Sequence, residues 1–234
     1  MKIAIMQPYL FPYIGYFQLV NAVDKFVFYD DVNFIKQGWI NRNNILLNGE
    51  KLLFSFPVEK ISSFKKINEV KVNRELFNRK KKKFLKTLAL SYKKAPFYNE
   101  VTNLVSLILN SDFEYISDYS NKSIIKALEY LNINTEIISS SNIYKNDYLK
   151  STARVLDICQ KEDAKIYINF FGGRNLYRKS EFKKSNIDLL FLRSGKIMYR
   201  QFGGRFISNL SIIDILMFNS KSKIKEMLNN YELS

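Results

Sequence analysis

The chain reads as an α/β protein with a mostly parallel, Rossmann-like sheet, a β-hairpin insertion and a helical middle segment, organised as a single domain over residues 1–234. Three observations predict this. Two short apolar runs, KIAIMQP (2–8) and KFVFYDD (25–31), flank an amphipathic stretch. That unit of about thirty residues is the length a right-handed parallel crossover requires. Further apolar runs at 135–141, 165–173 and 188–193 alternate with or follow helical patterns, as in other layered α/β proteins. Between the two halves lies NNILLNGEKLLFSFPV (43–58), in which Asn48-Gly49 separates two apolar runs. That dipeptide favours the type I′ turn that matches strand twist.

Each element follows from its residues. The 2–8 run is stopped by Pro8, as a buried strand is. In 9–25, Pro12 suits a first helical turn, and Tyr16, Phe17, Leu19, Val20 and Val23 recur at helical spacing. The stretch RELFNRKKKKFLKTLALSY (74–92) is amphipathic and VTNLVSLILN (101–110) continues the helical middle. Ser111 to Glu114 has capping-box spacing, which predicts a helix start there. A helix over 123–133 leads into a strand at 135–141. Another over 151–161 feeds the strand at 165–173, which ends in two glycines. In the helix over 210–220, Ser211 offers an N-cap and Asp214 follows three residues on.

The totals restrict the chemistry. Hydrophobic residues make up 47% of the 234 and aromatics 15%, enough for a substantial core and against disorder. The net charge of +15 attracts polyanions such as nucleic acid, anionic lipid, or nucleotide and phosphate-bearing substrates. A chain crowded with Lys, Asn and Ile also reaches such a charge by compositional drift. With no histidine and one cysteine, Ser–His triads, the usual zinc ligands and the commonest general base are excluded. Carboxylates, amides, Tyr, Lys, Arg and backbone remain. Cys159, among Val155, Leu156 and Ile158, reads as a buried, inert thiol. No apolar run reaches the roughly 18 residues that span a bilayer, and prolines interrupt the start, so a cytoplasmic protein without membrane insertion is expected.

Ligands of parallel sheets meet the carboxyl ends of the strands. Gln7 and Tyr9 end the first strand, Asp30 and Asp31 the second, and Asn169, Gly172 and Gly173 the one near 170, with Tyr177 just beyond. Successive strand residues face opposite ways, so Asp30 and Asp31 form no dyad; one faces the crevice, or both are turn aspartates that accept backbone N–H groups. The stretch QGWINRN (37–43) carries pocket material. Trp39 stacks on a ring or sugar, Arg42 clamps a phosphate or carboxylate, and Gln37, Asn41 and Asn43 read hydroxyls. The structural alternative makes Trp39 a core plug with Arg42 paired to Asp30 or Asp31. Gly172-Gly173-Arg174 lets backbone amides approach an anion, or is an ordinary strand-to-helix turn. The Arg79–Lys83 run is a solvated helix face by default, with a nucleic-acid footprint as its alternative.

Four blocks in order, MKIAIMQPYLFPYIGYFQLVNAVDKFVFYDDV, KQGWINRNNIL, YINFFGGRNLY and LSIIDILMFNS, resemble the WbqC-like protein family almost from end to end. Matched positions include Gln7, Tyr9, Gly15, Asp30, Asp31, Trp39, Asn41, Arg42, Asn169, Gly172, Gly173, Tyr177 and Asp214. The resemblance implies work on nucleotide-activated, often amino-bearing deoxysugars in O-antigen or other surface-polysaccharide biosynthesis. The expected reaction is acyl or aminoacyl transfer to a sugar amine. Asp30 or Asp31 then serves as base, Arg42 and Trp39 hold the substrate, Gln7, Asn41 and Asn169 orient hydroxyls, and amides near Gly172 and Gly173 meet an oxyanion. No tightly bound cofactor or metal is expected; the co-substrate is an anionic donor, acyl-CoA or aminoacyl-tRNA. From a different class comes a non-catalytic adaptor that binds nucleic acid or a pathway enzyme through the basic surface.

Overall fold

The computed structural model describes residues 1–59 and 64–234. Its strands are β1 (Lys2–Met6), β2 (Lys25–Phe28), β3 (Arg42–Leu47), β4 (Glu50–Ser55), β5 (Glu136–Ile138), β6 (Ile166–Phe170), β7 (Asp188–Ser194) and β8 (Tyr231–Leu233). Its helices are α1 (Ile14–Asn21), α2 (Arg74–Tyr92), α3 (Tyr98–Leu109), α4 (Ile116–Leu131), α5 (Ser151–Lys161), α6 (Lys179–Lys184), α7 (Ile212–Phe218) and α8 (Lys221–Leu228).

Six strands form one sheet in the order β5-β2-β1-β6-β7-β8, and β3 with β4 forms a separate antiparallel pair. The strands from β5 to β7 are parallel, and β8 runs antiparallel to β7. Side chains alternate between two cores. Ala4, Phe26, Phe28, Ile168 and Leu192 join the larger, with α1 to α4, α7 and α8. Ile3, Ile5, Val27, Tyr167, Leu189 and Phe191 join the smaller, with α5 and α6. Both faces are covered, so the strands read as unbroken apolar runs rather than as alternation.

The hairpin turns where predicted, with φ of +52° at Asn48 and +79° at Gly49, the two positive angles of a type I′ turn. In α2, Asn73 caps the first turn by accepting from the Leu76 N–H, and Phe77, Phe84, Leu88 and Tyr92 are buried along one side. The lysine run lies on the other side, as the default reading has it.

Two local expectations are corrected. The helix read over 9–25 is confined to Ile14–Asn21, because residues 7–13 go instead to an irregular connection off β1. The capping-box spacing at Ser111–Glu114 starts no helix: Asp112 pairs with Arg74 and Glu114 with Lys71, while α4 begins at Ile116. Beyond α8 the chain ends in β8, which pairs with the edge of β7.

The chain enters the sheet in its middle. It builds outward through β2 and β5, then crosses β1 to add β6, β7 and β8 on the other side. The connections leaving β1 and β6 therefore diverge. The gap beyond their carboxyl ends is the topological switch point, where open α/β sheets bind ligands.

Candidate functional site

A crevice of about 690 Å³ lies at this switch point, lined from the ends of β1, β2, β6 and β7. β1 contributes Met6, Gln7 and Tyr9; Tyr29 follows β2; Asn169 to Gly173, Leu176 and Tyr177 come from β6 and its turn; Leu192, Arg193 and Ser194 end β7. Trp39, 46% exposed, closes the rim as a platform and not as a core plug. Two cavities adjoin. One of about 290 Å³ shares Tyr9, Tyr13 and Trp39 with the crevice and adds Asn43 and Asn209. Another of about 560 Å³ shares Tyr13 and Ser194 with the crevice. Tyr13 is the wall common to all three.

Tyr13 reaches that position because residue 15 is glycine. A Cβ at Gly15 would stand 2.3 Å from the Tyr13 ring, so only the bare backbone lets the ring fold over the start of α1. Phe170 flanks the same ring at 6.1 Å between centres. Burial raises the Tyr13 hydroxyl to a pKa of about 12 and also raises Tyr9, Tyr29 and Tyr177. At neutral pH these phenols are hydrogen-bond donors, not bases.

The charged lining is cationic. Arg193 lines the crevice, Lys196 and Arg205 line the larger adjoining cavity, and no carboxylate of the described residues lines any of the three, although β8 sets Glu232 opposite Arg193 in the sheet. The guanidinium carbons of Arg193 and Arg174 stand 3.8 and 4.4 Å from the centre of the Phe171 ring. Neither arginine has an ion-pair partner among the described residues. Two exposed guanidiniums against one ring, Arg193 in the crevice lining and Arg174 beside it, present forks of the kind that pair with phosphate or carboxylate oxygens.

Of the residues predicted from sequence, the crevice brings together Gln7, Tyr9, Trp39, Asn169, Gly172, Gly173 and Tyr177, and Asn43 lines the neighbouring cavity. Asn169 and Asn43 are largely committed to the backbone. Asn169 Oδ1 accepts from Phe170 N at 2.7 Å, and Asn43 Nδ2 donates to Phe11 O at 2.8 Å. Gln37, Asn41 and Arg42 stand outside. Asn41 Nδ2 donates to Phe56 O at 2.8 Å and holds the base of the hairpin. Arg42 donates to the carbonyls of Gly38 and Gln37, with its guanidinium carbon 5.7 Å from the centre of the Trp39 ring. It closes the 37–42 loop on itself and pairs with neither aspartate.

Asp30 and Asp31 are buried and do not line the crevice. Asp30 Oδ1 accepts from Ser140 Oγ at 2.7 Å and Ser141 N at 3.1 Å, though burial still raises its carboxyl. Asp31 accepts from Ser141 Oγ and forms an ion pair with Arg154. The expectation that one of them confronts a ligand as a free base does not match this arrangement, because neither lines the crevice, Asp31 is held by Ser141 and Arg154, and Asp30 Oδ1 accepts from Ser140 and Ser141. Cys159 is buried, and its thiol is raised to about 12, as an inert residue should be. Among the described residues, no cluster of three metal-ligating acidic, cysteine or histidine side chains occurs, and no helix is long and apolar enough to cross a membrane.

Sequence reasoning missed Tyr13, Tyr29, Arg193 and the cavity beyond Tyr13. A signal for Arg193 existed: DLLFLR is an apolar strand that ends in a cation where ligands of parallel sheets bind. Tyr13 carried none, since its position depends on the path of the backbone.

Fold and crevice define an α/β protein with an aromatic crevice at the switch point of its sheet. The chain belongs to the WbqC-like protein family, whose sequence pattern matches residues 7–226. It is similar to the uncharacterized protein Rv1507c of Mycobacterium tuberculosis, with 27% identity over 230 residues, 97% of each chain. No solved structure matches it.

Proposed function

We propose that the switch-point crevice binds a nucleotide-activated sugar, and that the protein is a transferase that acylates or aminoacylates an amine on that sugar. The observation that carries this reading is the pair of exposed guanidiniums, Arg174 and Arg193, against Phe171, with Arg193 in the lining of an aromatic crevice to which no described residue gives a carboxylate. A diphosphate suits the two forks, a base or sugar ring suits Trp39 and the tyrosines, and hydroxyls suit the amide of Gln7.

A crevice lined by a cation and no acid also bears on the nucleophile. A sugar ammonium is disfavoured beside fixed positive charge, so its free amine is favoured without a histidine or a carboxylate base. The amine nitrogen attacks the donor carbonyl carbon. The C–N bond forms, the bond to sulfur or oxygen breaks, and the amine proton ends on the leaving group. Asp30 and Asp31 support the site through Ser140, Ser141 and Arg154 and take no proton from substrate in this reading.

The test uses the chain's sole tryptophan as reporter. Titration with UDP- or dTDP-linked aminosugars is expected to change Trp39 emission saturably, and Arg193→Ala to weaken the titration about tenfold or more. No saturable change with any such ligand, together with salt-sensitive nucleic-acid binding lost on neutralising residues 79–83, would replace the transferase by the adaptor reading.

A further inference from the structure

Segment 195–209 spans β7 and α7 without regular structure and roofs the adjoining cavity of about 560 Å³. Its attachments are specific. It leaves β7 at Gly195, where a Cβ would stand 2.1 Å from Asn230 Oδ1, so the backbone lies directly against the turn after α8. It returns through a bridge between Ser211 and Tyr13. Midway it is pinned to buried Asp214, which accepts from Tyr199 Oη at 2.5 Å and Gln201 Nε2 at 2.8 Å. Tyr92 Oη donates to the other carboxylate oxygen at 2.8 Å. Gln201 also clamps Ile207, accepting its N–H at 2.9 Å and donating to its carbonyl at 3.0 Å. A buried carboxylate with three donors and no ion-pair partner among the described residues holds this roof in place.

The space beneath has two characters. Ile14, Met198, Phe206, Leu210 and Ile215 give it apolar walls, and exposed Lys196 and Arg205 stand along it without an ion-pair partner among the described residues. No carboxylate lines it. It meets the crevice at Tyr13, whose hydroxyl has no hydrogen-bond partner among the described residues.

From this we infer a second ligand subsite. The cavity beneath 195–209 takes a small phosphorylated thioester of the coenzyme A class, while the crevice takes the sugar. Lys196 and Arg205 meet the phosphates, the apolar walls take the acyl arm, and the thioester carbonyl reaches the Tyr13 wall. The inference rests on the transferase reading for the sugar's place and on the second cavity alone for the donor's. In the reaction the sugar nitrogen bonds to the thioester carbon, the C–S electron pair leaves with sulfur, and the amine proton makes the free thiol. Tyr13 donates a hydrogen bond to the carbonyl oxygen and itself loses no proton.

Calorimetric titration with coenzyme A and with UDP, each alone and in the presence of the other, tests it. Both are expected to bind at once, one of each per chain. Lys196→Ala combined with Arg205→Ala should weaken coenzyme A about tenfold or more and leave UDP within about twofold. Arg193→Ala should do the reverse. Mutual exclusion of the two ligands overturns the second subsite, as does UDP binding with no coenzyme A binding. Coenzyme A binding governed by Lys196 and Arg205, without binding of UDP or a nucleotide sugar, keeps the subsite and overturns the transferase reading of the crevice. Binding of charged tRNA in place of coenzyme A, sensitive to the same pair, overturns the small-molecule donor.

Discussion

The guanidinium of Arg154 forms an ion pair with the carboxylate of Asp31 across 123 residues of sequence, with side-chain exposures of 4% and 2%. Arg154 Nε also donates to Asn146 Oδ1 at 2.9 Å, and its guanidinium carbon lies 4.9 Å from the centre of the Tyr29 ring. The pair thus braces from behind a tyrosine that lines the crevice. It also ties α5 to the end of β2, one from the first half of the chain and one from the second.

A buried carboxylate stripped of its partner is costly. Arg154→Ala is expected to lower the unfolding free energy by about 3–5 kcal/mol in urea denaturation. Replacing both members by apolar residues of similar volume should recover most of that loss. A loss below about 1 kcal/mol for Arg154→Ala would show that the pair is not buried as described.

The two arginines on Phe171 should behave differently. Arg174→Ala and Arg193→Ala remove exposed, unpaired side chains, so each should leave the melting temperature nearly unchanged. Each is expected to weaken nucleotide-sugar binding about tenfold, read from Trp39 emission. Equal binding by the two variants and the parent would remove these residues from the ligand.

Gly15→Ala probes how the backbone places Tyr13. The new methyl collides with a ring edge and not with backbone, so the ring moves and the fold survives. Crevice binding should weaken severalfold, and the change should be coupled to Tyr13. In the cycle made with Tyr13→Ala, a coupling energy of about 0.5–3 kcal/mol is expected. Additive effects would mean that the two residues do not meet.

Asp214 gives a pH signature. Burial raises its carboxyl above the ordinary value, against the opposing hydrogen bonds from Tyr199, Tyr92 and Gln201. The folded chain then retains this proton at pH values where the unfolded chain has lost it. Its contribution to stability is fully present below the unfolded pKa and declines as pH rises through the folded one. Relative to the parent, Asp214→Asn should therefore gain stability on going from pH 4 to 7, by at most about 1.4 kcal/mol per pH unit. Parallel curves in urea denaturation would contradict the shift.

Much of the sheet was legible in the residues. Apolar runs bounded by proline, glycine or polar residues marked β1, β2, β6 and β7, and the Asn48-Gly49 pair marked the hairpin, because strand burial and turn sterics are local consequences of residue type. The crevice was legible in part for the same reason: strand ends are readable, and ligands gather there in parallel sheets. Local reading failed where a polar residue had more than one available partner. QGWINRN announced a pocket, yet only Trp39 and Asn43 face one, while Asn41 and Arg42 spend their donors on carbonyls of their own neighbourhood.

By itself, then, the sequence determined the fold class, every strand but β8, the excess of positive charge and the rim on which chemistry is to be sought, all set by side-chain type and short-range spacing. Only the tertiary structure decided which charges remain unpaired. Arg154 arrives from α5 to neutralise Asp31, Asp214 receives Tyr92 from α2, and Arg174 and Arg193 meet on Phe171 without an ion pair among the described residues, although β8 sets Glu232 opposite Arg193. Whether a charged side chain is held in the structure or left to a ligand depends on which groups the folded chain brings within hydrogen-bonding reach, and those groups come from far away in the chain.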